Sequence, residues 1–227
     1  NGGDILLTSG NGKKAGNIVI QSGKGKMDSG NINVMTGTSD GGSSGYITLR
    51  SGNGDIRSGG INIQSGNAIS KKAGTISIEA GLTSSGVGGS VYLRSGSSAS
   101  GVGGGLYLQS GGSSAASGGK VTLQGGSSGN GFSGNVNIHS GKDTISSDSG
   151  NIDILTSYSL NGESGSIYVK SGIAKGRAGS INMIAGSSKA SVGGSVEVIA
   201  GGSMLSTGGN VKISSGASTT SKSGNIH

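Results

Sequence analysis

The chain has 227 residues with 52 glycines, no cysteine, no proline and no tryptophan, and only 3% of its residues are aromatic. This composition excludes disulfide-stapled domains and thiolate metal sites, and it does not fit collagen, which needs proline and a glycine at every third residue. The formal charge is +7, and no basic residues cluster with aromatic ones, so no specific nucleic-acid partner is predicted. No stretch approaches the roughly 18 apolar residues of a membrane helix, so no membrane span is predicted.

The positive charge is spread along the chain, and we interpret it as solvated loop charge. Basic pairs such as Lys13-Lys14 and Lys71-Lys72 leave a polyanion partner as the less favoured alternative.

One eight-residue segment recurs from the first residues to the last. It reads Gly-x-(aliphatic)-x-(aliphatic)-x-(small)-Gly, as in residues 89–96, and a connector rich in Gly and Ser follows each copy. The spacing between opening glycines is most often 15 residues and varies between 13 and 16. The opening glycines are Gly3, Gly16, Gly30, Gly45, Gly59, Gly74, Gly89, Gly104, Gly119, Gly134, Gly150, Gly165, Gly179, Gly194, Gly209 and Gly224.

Within each segment the apolar positions alternate with mostly polar ones. Pairs such as Ile18 with Ile20 and Ile76 with Ile78 are two residues apart, and alternation bounded by glycine is typical of a β-strand. The seventh position is nearly always small, as at Ala80 or Ser95. A small residue followed by glycine indicates a corner with positive φ or a close approach of two walls.

These features predict an all-β fold, a parallel β-solenoid (β-helix or β-roll) of about fifteen 15-residue repeats. Stacked repeats would place aliphatic side chains over one another, so a charge at a core position such as Ile76 is expected to disrupt the stack. Adjacent repeats resemble each other more than alternate ones, which favours one coil per repeat over two repeats per coil. Residues 1–227 are predicted to form a single solenoid domain, which we expect to be a piece of a longer repeat protein.

No catalytic, cofactor-binding or metal site is predicted. The two histidines, His139 and His227, lack a second ligand at suitable spacing. Residues 129–134 match a dinucleotide fingerprint but lead into a predicted strand rather than a helix, so the match is rejected. The aspartates are too scattered for a calcium-binding β-roll, although an isolated calcium at one of them stays open; those aspartates are Asp28, Asp40, Asp55, Asp143 and Asp148.

Three tyrosines occupy the position between the two aliphatic residues: Tyr92, Tyr107 and Tyr168. They are the one candidate surface-contact face, and an exposed row of aromatic rings could bind glycans or a neighbouring filament. The alternative, which we favour, is cross-strand stacking that stiffens one face.

The repeat resembles the Gly/Ser-rich, short-coil β-solenoids of extracellular filaments and adhesins, including the low-complexity repeats of algal and protist surface filament proteins. The strand, corner and Ser-x-Ala-x-Gly rhythm of residues 91–104 is also similar, more weakly, to the head repeats of trimeric autotransporter adhesins. It departs from those in its Ile-x-Leu strand and its double-glycine corner.

The resemblance implies a non-enzymatic structural protein outside the cell or at the cell surface. It would form a rigid rod or filament by self-association end to end or laterally. The alternative is an adhesin stalk or a module that binds carbohydrate or a surface. Ice binding is a distant third, because the outward positions are too mixed to form regular threonine rows.

Overall fold

The computed structural model of the chain describes residues 2–142 and 148–227, and its backbone contains neither helix nor strand over these ranges. Most of this backbone is irregular, and short bends interrupt it at intervals close to the sequence repeat, for example at residues 84–86, 99–101, 114–116 and 129–131. Every bend falls in a connector. The chain divides into two units, Asn1–Leu108 and Gln109–His227, and both are built from the same alternation of segment and connector.

Each connector is closed into a loop by a backbone hydrogen bond between two glycines. The N–H of Gly104, which opens one segment, donates to the carbonyl oxygen of Gly96, which ends the segment before it, at 2.9 Å. The same bond over the same eight residues joins Gly89 to Gly81, Gly119 to Gly111, Gly134 to Gly126, Gly194 to Gly186, Gly209 to Gly201 and Gly224 to Gly216. Shorter loops are closed from Gly16 to Gly10 and from Gly30 to Gly23.

A serine hydroxyl stabilises the bend inside many connectors. Ser98 Oγ accepts a hydrogen bond from the N–H of Gly101 at 2.8 Å, and Ser128 Oγ accepts one from Gly131 at the same distance. Such short side-chain bonds to the backbone three residues on are the usual way for serine to hold a turn. Equivalent bonds are made by Ser39, Ser113, Ser159, Ser188, Ser203 and Ser218.

The small seventh residue of a segment lies against the opening glycine of the next segment. A Cβ at Gly89 would lie 3.1 Å from Ala80 Cβ, and one at Gly74 would lie 3.1 Å from Ser65 Cβ. The close approach expected at this corner is therefore confirmed. The positive φ that was offered as its alternative is not found there, because Gly86, in a connector, is the one residue of the described ranges with positive φ.

The predicted all-β fold, a parallel β-solenoid with one coil per repeat, is wrong. A coil of one repeat would join backbones about 15 residues apart, whereas the backbone bonds within residues 2–142 and 148–227 join glycines six to eight residues apart. The glycine pairs therefore close each connector on itself, and the segments between them have no neighbouring backbone with which to form a sheet. Two large aliphatic residues per repeat offer little burial to offset the ordering of a glycine-rich backbone.

The accessible surface agrees with this open arrangement. The chain exposes 23549 Å², whereas a compact protein of 21.6 kDa exposes roughly 9,200 Å² and its unfolded chain roughly 31,000 Å². None of the described residues is buried, and hence there is no hydrophobic core among them. The described part of the chain also lacks any helix long and apolar enough to cross a membrane.

Candidate functional site

The segments present their aliphatic side chains to solvent in a regular gradation. From the second segment onward the first aliphatic residue is 49–61% exposed, as at Ile76 and Val91, and the second is 62–73% exposed, as at Ile78 and Leu93. Apolar side chains of the connectors, such as Val102 and Phe132, are almost fully exposed. The segments therefore carry half-covered apolar positions that recur with the period of the repeat.

Charge is distributed unevenly between segments and connectors. Twelve of the 17 Lys and Arg and six of the 10 Asp and Glu fall in connectors, which leaves the segments with five basic and four acidic residues in all. No segment has more than one charged residue, and the five segments 16–23, 30–37, 59–66, 104–111 and 179–186 have none. Most of the net charge of +7 is thus kept away from the apolar positions.

The backbone of the segments is also unsatisfied. Within the described ranges, the protein hydrogen bonds made by main-chain groups involve connector residues or the glycines at segment ends. The N–H and C=O groups between those glycines have no partner in the protein there, so they are left to water. An unpaired row of such groups is the feature that lets a strand edge recruit another backbone.

The three tyrosines of the predicted contact face are all on the surface. Tyr92 and Tyr168 are 85% exposed and Tyr107 is 91% exposed. Tyr92 and Tyr107 belong to the first unit, and Tyr168 belongs to the second. The structure leaves all three rings accessible, and it shows no sheet on which they could stack.

Tyr107 differs from Tyr92 in how its ring meets the local backbone. A Cβ at Gly105 would lie 2.8 Å from Tyr107 Cε2 and 3.0 Å from its hydroxyl oxygen, so this ring folds back over Gly105. The residue two positions before Tyr92 is Ser90, whose Cβ occupies the equivalent place. The absence of a side chain at Gly105 therefore gives Tyr107 a ring position of its own.

The residues considered for catalysis or metal binding do not converge. His139, His227, Asp28, Asp40, Asp55 and Asp148 are each exposed, and Asp143 lies outside the described residues. No three His, Cys, Asp or Glu of the described part come together as a metal site would require. The same part of the chain encloses no pocket.

The serine that holds the connector bend was missed by the sequence reasoning. It stands two residues after the glycine that ends a segment, at Ser98 after Gly96 and at Ser113 after Gly111. The signal was present, because the same residue type recurs there in eight connectors. It was hidden because serine is abundant throughout the connectors, so one fixed position did not stand out.

No family model, curated protein or solved structure matches this chain.

Proposed function

We propose that the chain is a non-enzymatic structural protein that acts outside the cell or at the cell surface by associating with itself into a filament or fibrous material. The observation that carries this proposal is the regular recurrence of segments with exposed aliphatic side chains and unpaired backbone groups. A monomeric soluble protein rarely leaves so much apolar surface open, and contiguous surface of this kind marks an interaction site. The stacked coils expected from the sequence play no part in this proposal.

Composition supports a material role over a catalytic one. Catalysis needs unlike residues converging at one place, whereas this chain repeats like residues at one spacing. The connectors, with most of the charge and the serine-held bends, keep neighbouring segments apart and hydrated. This division between adhesive segments and solvated spacers is what a repeat protein needs in order to assemble without collapsing on itself.

Electron microscopy of the purified chain over a concentration series tests the proposal. Uniform filaments that appear above a threshold concentration, together with sedimentation of the same material, are the expected result. A chain that stays monomeric at every concentration, and leaves no assemblies on the grid, would contradict it. Comparing physiological with low ionic strength is informative as well, because salt weakens the mutual repulsion of chains that each carry +7.

The exposed tyrosines support a second candidate, a module that binds carbohydrate. Tyr92, Tyr107 and Tyr168 each present a ring that is 85–91% exposed, and such a ring offers both an apolar face and a hydroxyl. Glycan-array binding that is lost in the triple Tyr→Ala variant and kept in the triple Tyr→Phe variant would favour this function. Equal signals from the parent and the triple Tyr→Ala variant would remove the tyrosines from consideration.

A further inference from the structure

We infer that the partner of each segment is the corresponding segment of a second copy of this chain, aligned in parallel and in register. The inference rests on the proposed self-association and specifies its interface, namely the residues between the two glycines of each segment. The connectors lie outside this interface and stay in solvent.

The backbone argues for another extended chain as the occupant. Between the terminal glycines of a segment such as 89–96, the main-chain N–H and C=O groups have no protein partner in the described structure. A row of alternating donors and acceptors is satisfied in full only by a second backbone running alongside it. A partner that offered side chains alone would leave most of these groups unpaired.

The side chains of the segments suit such pairing. They are mainly β-branched or aliphatic at the two apolar positions, contain no proline, and carry at most one charge each. Short segments with high β-propensity and low net charge are the ones that pair between chains. Side chains that alternate between half-covered and more exposed, as Val91 and Tyr92 do, already follow the two-residue period that a paired strand has.

The spacing of the segments argues for a second copy over any other extended chain. Only a partner with the same succession of spacings, including the departures from 15 residues, can engage every segment at once. Once the first pair of segments is joined, each following pair forms at a high effective concentration. A shift of register that is not a whole repeat would set charged connectors against apolar segments and lose this gain.

The parallel orientation follows from the residue rows. Asparagine stands at the second position of several segments, and in-register parallel chains place it beside its own copy, where side-chain amides form ladders. An antiparallel arrangement would set that position against the small seventh residue. The segments that begin in this way contain Asn17, Asn31, Asn135, Asn151, Asn210 and Asn225.

Disulfide formation between single-cysteine variants tests the register, because the chain has no cysteine of its own. Tyr92→Cys places a thiol in a segment and Val102→Cys places one in the neighbouring connector, at two positions that are both highly exposed. The two variants, one of them isotopically labelled, are mixed in equal amounts, assembled under the conditions that sediment the parent chain, and oxidised. Mass spectrometry then counts the links between like and unlike positions.

In-register pairing predicts that links between unlike positions fall several-fold below the roughly half expected for random contact, since a disulfide requires Cβ atoms about 4 Å apart. Assemblies in which unlike links reach about half would overturn the register while leaving the proposed self-association standing. A chain that shows no assembly at all would overturn both. Each variant must first sediment as the parent does, and Thr122→Cys with Ala99→Cys provides a second pair for the same comparison.

Discussion

The backbone N–H of Gly104 lies 2.9 Å from the carbonyl oxygen of Gly96, and this bond returns the chain to the end of the segment it has just left. The connector between these two glycines is therefore a closed loop rather than a link from one coil to the next. The loop spans eight residues, and the cost of closing it grows only slowly with length. The repeat of the sequence is thus expressed as a series of local loops that carry open segments between them.

The fit of the opening glycine against the preceding small residue predicts the effect of Gly89→Ala. The new Cβ would lie 3.1 Å from Ala80 Cβ and 3.2 Å from the backbone nitrogen of Gly81, so the loop must open. We expect loss of the hydrogen bond from Gly89 N–H to Gly81 O, which is worth about 1 kcal/mol net and thus about a fivefold faster exchange of that amide. Hydrogen exchange followed by NMR measures it.

Gly88→Ala is the matched control for Gly89→Ala. A Cβ at Gly88 meets nothing within 4 Å, so this neighbouring change should leave the exchange of the Gly89 amide as it is in the parent chain. Equal acceleration in both variants would show that backbone stiffening, and not the contact with Ala80, governs the loop.

Gly125 predicts a departure from the rule that the repeats themselves suggest. Most segments have Ser or Ala at this seventh position, yet a Cβ on Gly125 would run into the carbonyl group of Gly134. Gly125→Ser, which makes the repeat more regular, should therefore open the loop and free the Gly134 N–H from Gly126 O. The reverse change in the preceding repeat, Ser110→Gly, should keep its loop closed apart from losing the hydroxyl bond to Gly119 O. Protection of the Gly134 and Gly119 amides from exchange distinguishes the two.

The serine bend predicts a local effect of Ser98→Ala. Its Oγ accepts the N–H of Gly101 at 2.8 Å, and its loss should cost about 0.5–1 kcal/mol of bend stability. Chemical shifts and amide exchange at residues 99–101 should change, and Ser98→Thr should restore them. Ser97→Ala, one residue earlier, serves as the control; a disturbance of the bend equal to that from Ser98→Ala would contradict the assigned role.

Parts of this local structure could be predicted from the sequence. The positions of segments and connectors follow from the glycine spacing, and the close approach at the seventh residue follows from its small size, as Ala80 against Gly89 shows. These features depend on residues that are near one another in the chain. The exposed positions of Tyr92, Tyr107 and Tyr168 were likewise expected from their place between two aliphatic residues.

The solenoid could not be decided by the same pattern. Alternation at Ile76 and Ile78 shows that a segment has two kinds of face, but it does not show which backbone lies beside it. Whether residues 15 apart pair depends on a balance between weak burial and backbone ordering, and two aliphatic residues per repeat leave that balance close. The glycine pairs then close the connectors locally, and Ile76 stays half exposed.

The exposure of Ile76 reverses the outcome expected for Ile76→Asp in a stacked core. At 49% exposure the new carboxylate remains hydrated, so the monomer should keep the hydrodynamic radius and the coil-like circular dichroism of the parent chain. Self-association should weaken instead, because the charge removes apolar contact worth about 1 kcal/mol and must be desolvated against a second chain. We expect the threshold concentration for assembly to rise at least about fivefold, as measured by sedimentation. Leu82→Asp puts the same charge on a fully exposed connector residue and should leave that threshold within about twofold of the parent; equal effects of the two variants would show that net charge, not the segment surface, controls assembly.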